Sequence, residues 1–192
     1  MGTKKWLFLG FSAVALVVLI VVYFRGGGGE RIKAPADLPE SEQPSGPEPP
    51  GETRLVTLFF PSEGDSLLHA EAREIQAYAS VVEEAKRVVE ELIKGSAKGY
   101  LAPFPAETRL RQLFVTREGV AYVDFSRELA ERHPSGSSAE LATVYSVVNS
   151  LAFNFKSIKR VFILVEGRER ETLGGHINLS QAFLPLYSLN AE

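Results

Sequence analysis

No cysteine occurs in the 192 residues, and there is one methionine, one tryptophan and three histidines. The missing thiols exclude disulfide staples, thiolate metal sites, a cysteine nucleophile and lipid attachment through an N-terminal cysteine. Charge of one sign is also lacking: 21 Lys and Arg stand against 24 Asp and Glu, a formal net charge of -3. That balance provides no basic face for a phosphate backbone, so nucleic acid is not an expected partner. The spacings HExxH, GxSxG and GxGxxG are all missing, which removes the commonest zinc-protease, hydrolase and dinucleotide signatures. No cofactor and no metal are expected, and the chain is not expected to be an enzyme.

What the sequence does have is one long apolar run. Trp6 to Phe24 (WLFLGFSAVALVVLIVVYF) carries no charge. Nineteen residues at about 1.5 Å each give about 28 Å of helix, close to the roughly 30 Å hydrocarbon core of a bilayer. Trp6 and Tyr23 stand at its ends, where amphipathic rings favour the headgroup region. A cleaved secretory signal is the competing reading, with Lys4 and Lys5 as its basic start. The run is too long for that, and Tyr23-Phe24-Arg25 offers no small-residue cleavage site. Residues 1–25 are therefore expected to be an uncleaved signal anchor. It would cross a bacterial cytoplasmic membrane once, N-terminus inside, with the remainder on the periplasmic or extracytoplasmic side.

Residues 26–52 follow as a spacer. Gly26 to Gly51 holds six of the eleven prolines and six of the sixteen glycines, with Ile32 and Leu38 as its only large aliphatics. Such a segment cannot bury enough surface to offset its ordering entropy.

Residues 53–192 are long enough for one domain with a proper core, and they hold 16 Lys and Arg against 18 Asp and Glu. Arg54 to Pro61 reads as a strand and Ser66 to Ile75 as a weaker one, joined by a Ser-Glu-Gly-Asp turn. Val81, Val82, Ala85, Val88, Val89, Leu92 and Ile93 recur at helical spacing, with Ser80 and Glu83 as a capping box and Gly95 as the stop. Glu83/Arg87 and Glu90/Lys94 are expected to pair at i,i+4 on the solvated face. Arg109 to Arg117 and Gly119 to Phe125 predict a hairpin around Arg-Glu-Gly. Ser137 and Glu140 predict a second capping box, opening a helix whose buried stripe is Leu141, Val144, Tyr145, Val148, Leu151 and Phe155. Ile158 to Val165 is apolar on both faces and reads as a central strand. Glu169 to Asn178 reads as a strand and turn, and Leu179 to Asn190 as a loose apolar end. Phe114, Tyr122, Phe155 and Phe162 are expected in the core. Two helices on one mainly antiparallel sheet, an α+β fold, is the economical packing.

Four residues are candidates for chemistry or binding. Asp124 ends an apolar strand, where it serves either as a general base or as a turn-former capping Ser126 to Ala130. Gly174 and Gly175 precede His176 without the context of a nucleotide loop, and supply positive φ for a turn. His69, His133 and His176 show no metal-site spacing, and each is expected to be a surface or hydrogen-bonded residue. The Leu173-Gly-Gly-His176 turn and the Leu101 to Pro105 loop are expected to frame any small-ligand or cell-wall-glycan pocket.

Several of these segments resemble the GerMN (sporulation and spore germination) domain family. They are Val56 to Pro61 with Arg73-Glu74, Leu92-Ile-Lys-Gly95, Gly119 to Ser126, Thr143 to Asn149, Ile158 to Val161, and Val165-Glu-Gly167 followed by Glu171 to Ile177. The resemblance spans about residues 54–180. It implies a compact α+β domain similar to the ring-building motifs of secretion and sporulation complexes, an envelope location, and no known enzymatic activity. The anchor, the long spacer and the lack of a catalytic set point to a protein partner in the envelope, a second copy of the chain included, met through a sheet edge or an exposed face. One copy of the domain with an apolar anchor stands here where lipoproteins of the family have paired copies and a lipidated cysteine.

Overall fold

The computed structural model describes residues 51–134 and 136–192. The expected anchor and all but the last two residues of the expected spacer lie outside the described residues. Among the described residues no helix is long and apolar enough to cross a membrane.

β1 (Thr53–Pro61) and β2 (Leu68–Gln76) pair antiparallel over nine residues without a break, from Thr53↔Gln76 to Pro61↔Leu68. The Ser-Glu-Gly-Asp turn between them uses Ser66 at φ 59, and Asp65 Oδ1 accepts the Leu67 N–H at 3.0 Å. Alternation sends Val56, Leu58 and Phe60 into the core. α1 (Val81–Lys94) buries Ala85, Val88, Val89 and Leu92, the i, i+3, i+4, i+7 stripe that the sequence predicts, and Gly95 stops it at φ 89. The first capping box does not form. Ser80 makes no side-chain cap bond, and Glu83 pairs with Lys86 at 2.8 Å. The other surface pairs also close at i,i+3, Arg87 with Glu90 at 2.7 Å and Lys94 with Glu91.

β3 (Leu110–Val115) and β4 (Val120–Phe125) form the predicted hairpin. Gly119 at φ 84 is required there, because a Cβ would stand 2.6 Å from the Ser157 carbonyl oxygen. After the short α2 (Glu128–Glu131) comes α3 (Ser137–Asn154), then β5 (Arg160–Val165), and a 3₁₀ turn at Tyr187–Leu189. β5 lies parallel to β4, from Val120↔Arg160 to Phe125↔Val165.

The single antiparallel sheet expected from the sequence is therefore two sheets, β1-β2 and β3-β4-β5, the second one mixed. β4 is its central strand. β5 flanks it, with its outer edge met by Phe183 through reciprocal bonds, Val161 N–H to Phe183 O at 3.0 Å and Phe183 N–H to Val161 O at 2.8 Å. The physical reason for the split sits on α3. Its Asn154 places Oδ1 2.9 Å from the Thr57 N–H and donates Nδ2 to the Thr57 carbonyl at 2.6 Å. One turn earlier, Ser150 Oγ accepts the Phe59 N–H at 3.0 Å. These side chains take the bonds a third strand would have made, so the edge of β1 is closed by a helix.

α3 is buried nearly all round, Val144, Val147, Val148 and Leu151 being fully so, a wider apolar surface than the predicted stripe. Each apolar side chain removed from water in this way contributes about 1.5–3 kcal/mol. Residues 169–178 form turns with no strand. The segment after Leu179 is not loose: Asn149 donates Nδ2 to the Leu186 carbonyl at 3.0 Å and accepts the Leu186 N–H at 3.0 Å. Leu179 is fully buried.

Candidate functional site

Glu140 lies in the first turn of α3 and its side chain is fully buried. It does not close a capping box, since the N-cap position is Gly136 and carries no side-chain bond. Its carboxylate reaches the turn at 174–177 instead. Oε1 accepts the His176 N–H at 3.1 Å and Oε2 accepts the Ile177 N–H at 3.0 Å. His176 Nδ1 lies 2.7 Å from Oε1. Burial pushes the carboxyl upward. The Ile177 N–H, the His176 imidazole and the N–H groups of Gly174 and His176 outweigh it and hold it below the ordinary carboxylate range. An ionised acceptor makes Nδ1 the donor. Gly174 eases the approach, because a Cβ would sit a tight 3.0 Å from Glu140 Oε1, and of the two glycines only Gly175 has the positive φ expected of both, at 104.

A carboxylate that fixes Nδ1–H leaves Nε2 as the acceptor, the arrangement a general base or a metal ligand needs. Among the described residues no group of three metal-capable side chains occurs, and the imidazole's side-chain partner is Glu140. Gly174, Gly175 and His176 act together as a latch on α3, with the His176 side chain 44% exposed.

Asp124 does not join them. It caps neither Ser126 nor α2: Oδ1 accepts the Gly167 N–H at 2.7 Å and Oδ2 accepts Arg111 Nη1 at 3.0 Å. Its carboxylate thus ties β4 to the turn after β5, where Glu166 and Gly167 have φ of 55 and 70. With both oxygens engaged it is a poor general base. Glu71 has a similar structural task. Burial raises its carboxyl, but the Ser96 hydroxyl, the Ala97 N–H, the Arg73 guanidinium and the Lys98 N–H prevail and hold it low, fastening loop 96–98 to β2.

A cleft of about 670 Å³ does lie beside the Leu101 to Pro105 loop. Its other walls are the β1–β2 turn (Ser62, Ser66) and the first turns of α3 (Ser138, Ala142), not the Leu173–His176 turn expected to frame it. The lining is apolar with a hydroxyl rim, and Glu63 is its only charged side chain.

The outer faces of both sheets also carry exposed apolar side chains. On the outer face of the three-stranded sheet Phe114, Tyr122 and Phe162 stack across the strands, with centroids 4.8 and 5.3 Å apart and planes 6° and 26° from parallel. Phe114 is 46% exposed, so it is not core as expected. Tyr122 is flanked on both sides by its neighbours, and the ladder ends on β3 in the half-exposed Phe114. On the outer face of the two-stranded sheet, Phe59, Phe153 and Tyr187 make an edge-to-face chain, with centroids 5.4 and 6.5 Å apart. Phe153 and Tyr187 are about half exposed, and Leu55 shares that face of β1 at 67% exposure.

The sequence reads Glu140 as a capping residue and does not single out Asn149, Ser150 and Asn154, whose side chains hold backbone from distant parts of the chain. The signal was polar residues at helical spacing within an otherwise apolar helix.

Residues 57–171 match the family described as "Sporulation and spore germination". Among solved structures, the tandem GerMN domains of the Bacillus subtilis sporulation protein GerM are 23% identical, covering 69% of this chain and 46% of that one, with a TM-score of 0.57. The first GerMN domain of the same protein is 22% identical over 69% of this chain and 97% of that one, with a TM-score of 0.53. A candidate lipoprotein from Clostridium perfringens is 24% identical over 69% and 87%, with a TM-score of 0.50. These likenesses carry the fold. No curated protein is a significant sequence match. The matched residues run from β1 through β5, and the chain belongs to the GerMN family of sporulation and spore germination proteins.

Proposed function

We propose that the chain is a non-enzymatic protein-interaction module tethered to the outer side of a bacterial cytoplasmic membrane. Trp6 to Phe24 form the single anchor with the N-terminus inside, residues 26–52 the spacer, and the domain meets a protein partner in the envelope, in assemblies such as those of sporulation and germination. The observation that carries the reading is the exposed apolar surface of Leu55, Phe153 and Tyr187 outside the two-stranded sheet. Apolar patches left on a folded surface are typical of sites where proteins dock. Family membership supports the assembly role.

A photo-crosslinking residue placed at Phe153 or Tyr187 in the full chain, expressed in cells, is expected to capture one discrete protein. The same residue at exposed Glu169 is expected to capture none. Equal or absent capture at all three positions refutes the reading. A periplasm-dependent reporter fused after Glu192 is expected to be active, and activity of a cytoplasm-dependent one instead refutes the location.

The cleft favours a second reading, a small-ligand or wall-glycan binding module. Its volume of about 670 Å³ lies inside the roughly 300–1,000 Å³ range of small-molecule sites. Titration with wall-glycan fragments is then expected to move the amide signals of Ser62, Leu101 and Ala142. Their constancy sinks that reading.

A further inference from the structure

The two sheets have four outer edges, and three of them are closed or broken. The β1 edge is taken by Ser150 and Asn154, and the β5 edge by Phe183. The β3 edge is interrupted by the register shift between Leu110 and Gln112. β2 differs. In an antiparallel ladder the N–H and C=O of one residue point to the same edge. Thr57 and Phe59 direct theirs at α3, so their partners Ala72 and Ala70 direct theirs outward, as does Glu74 opposite Leu55. None of these three has a backbone partner among the described residues. The edge begins to be used only at Leu68, whose carbonyl accepts the Ala191 N–H at 2.9 Å.

Among the described residues no backbone segment covers Ala70, Ala72 or Glu74, and the inner-face charges of β2, Glu71 and Arg73, are paired with each other. Ala70, Ala72 and Glu74 are exposed, the nine-residue pairing with β1 is unbroken, and β2 contains no proline and no lysine. The sequence is also self-complementary. With two copies antiparallel and centred on Ala72, Ala72 faces itself, Ala70 faces Glu74, and Glu71 faces Arg73. Centring on Glu71, Arg73 or Glu74 sets like charges opposite each other, which destabilises a ladder. Centring on Ala70 runs the ladder into Leu68, whose carbonyl is already bonded. Of the registers centred on Ala70 to Glu74, the one on Ala72 is left.

We propose that β2 pairs edge to edge with β2 of a second copy of this chain, antiparallel and centred on Ala72. This rests on the reading of the domain as a protein-interaction module and names its partner. The result is a continuous four-stranded sheet, β1-β2-β2-β1, with a two-fold axis through Ala72. Glu71 and Arg73 already pair within each strand, and the assembly brings two such pairs together with opposite signs adjacent.

The natural absence of cysteine makes the test direct. In the full chain, expressed in membranes, Ala72→Cys places two thiols on directly opposite residues, about 5.5 Å apart at Cα and inside the disulfide range. Mild oxidation is expected to give a linked dimer. Glu74→Cys leaves its two copies about 14 Å apart along the strands and is expected to give at least about tenfold less. A mixture of Ala70→Cys and Glu74→Cys chains is expected to recover the link between the two. Equal yields from Ala72→Cys and Glu74→Cys signify random collision and overturn the proposal. No Ala72→Cys dimer, with the amides of Ala70, Ala72 and Glu74 protected from hydrogen exchange by a different bound protein, also overturns it. That outcome leaves the interaction reading standing, whereas absence of both linkage and protection by any protein counts against both.

Discussion

The two sheets solve the same edge problem with different chemistry. The three-stranded sheet closes its flank with backbone, Val161 exchanging two bonds with Phe183, and braces its exposed face with stacked rings. The two-stranded sheet closes its inner flank with side chains, a serine and an asparagine one helical turn apart. A backbone closure tolerates any residue with an N–H, whereas a side-chain closure depends on the identity of two positions. The first region is accordingly built to vary and the second to be exact. α3 carries that exactness further, for Glu140 and Asn149 hold the chain's last segments by the same means.

The comparison breaks first at Glu140. Glu140→Ala leaves the N–H groups of Gly174, His176 and Ile177 and the His176 imidazole without their buried acceptor, and is expected to cost about 3 kcal/mol in denaturant unfolding. Its pH dependence has a defined sign. The folded carboxyl titrates below its unfolded value, so its stabilisation is complete above about pH 4.3 and is lost as pH falls through the lowered folded value. Glu71 adds to the same acid loss. Stability measured between pH 7 and pH 3 is expected to fall less steeply in Glu140→Gln than in the parent chain. An unchanged slope contradicts the account.

Next comes Asn154→Ala, which exposes both backbone groups of Thr57 and is expected to cost about 2 kcal/mol. Hydrogen exchange of the Thr57 amide is expected to rise with it, while the Val161 amide in the other sheet stays slow. Acceleration at both amides would show that the two edges are one cooperative unit. Phe114→Ala removes one exposed end of the ring ladder and is expected to cost about 0.5–1 kcal/mol, a test by thermal unfolding of how little that face matters. The smallest effect is expected at Ser146, whose hydroxyl is buried without a partner. Ser146→Ala should leave stability unchanged or raise it by about 1 kcal/mol.

Most of the element order was legible in the sequence. Apolar periodicity located both long helices, and the turn residues located both hairpins, because these signals are local. Three features were not. Glu140 three residues after Ser137 reads as a capping box, and only the arrival of Gly174 to Ile177 from far along the chain reassigns it. Ile158 to Val165 is apolar on both faces, which identifies a covered strand but neither its neighbour nor its direction. Phe114 alternates correctly for a strand, yet periodicity does not tell which face of a hairpin meets the helices. Asp124 stands out in the sequence as a carboxylate ending an apolar strand. Its partners, Arg111 and the Gly167 N–H, lie 13 and 43 residues away, beyond any local pattern.

The side-chain closure of β1 also sets an order in time. The β1–β2 hairpin is complete once residue 76 has been made, yet the groups that close its inner flank arrive only at Ser150 and Asn154. At about 5–20 residues per second of synthesis, the hairpin waits several seconds with both flanks open. A nascent chain in that interval is a pair of strands seeking a third, and its vulnerability ends when α3 docks. Slow synthesis or a stalled export step between residues 76 and 154 would therefore harm this protein more than the same delay after residue 154.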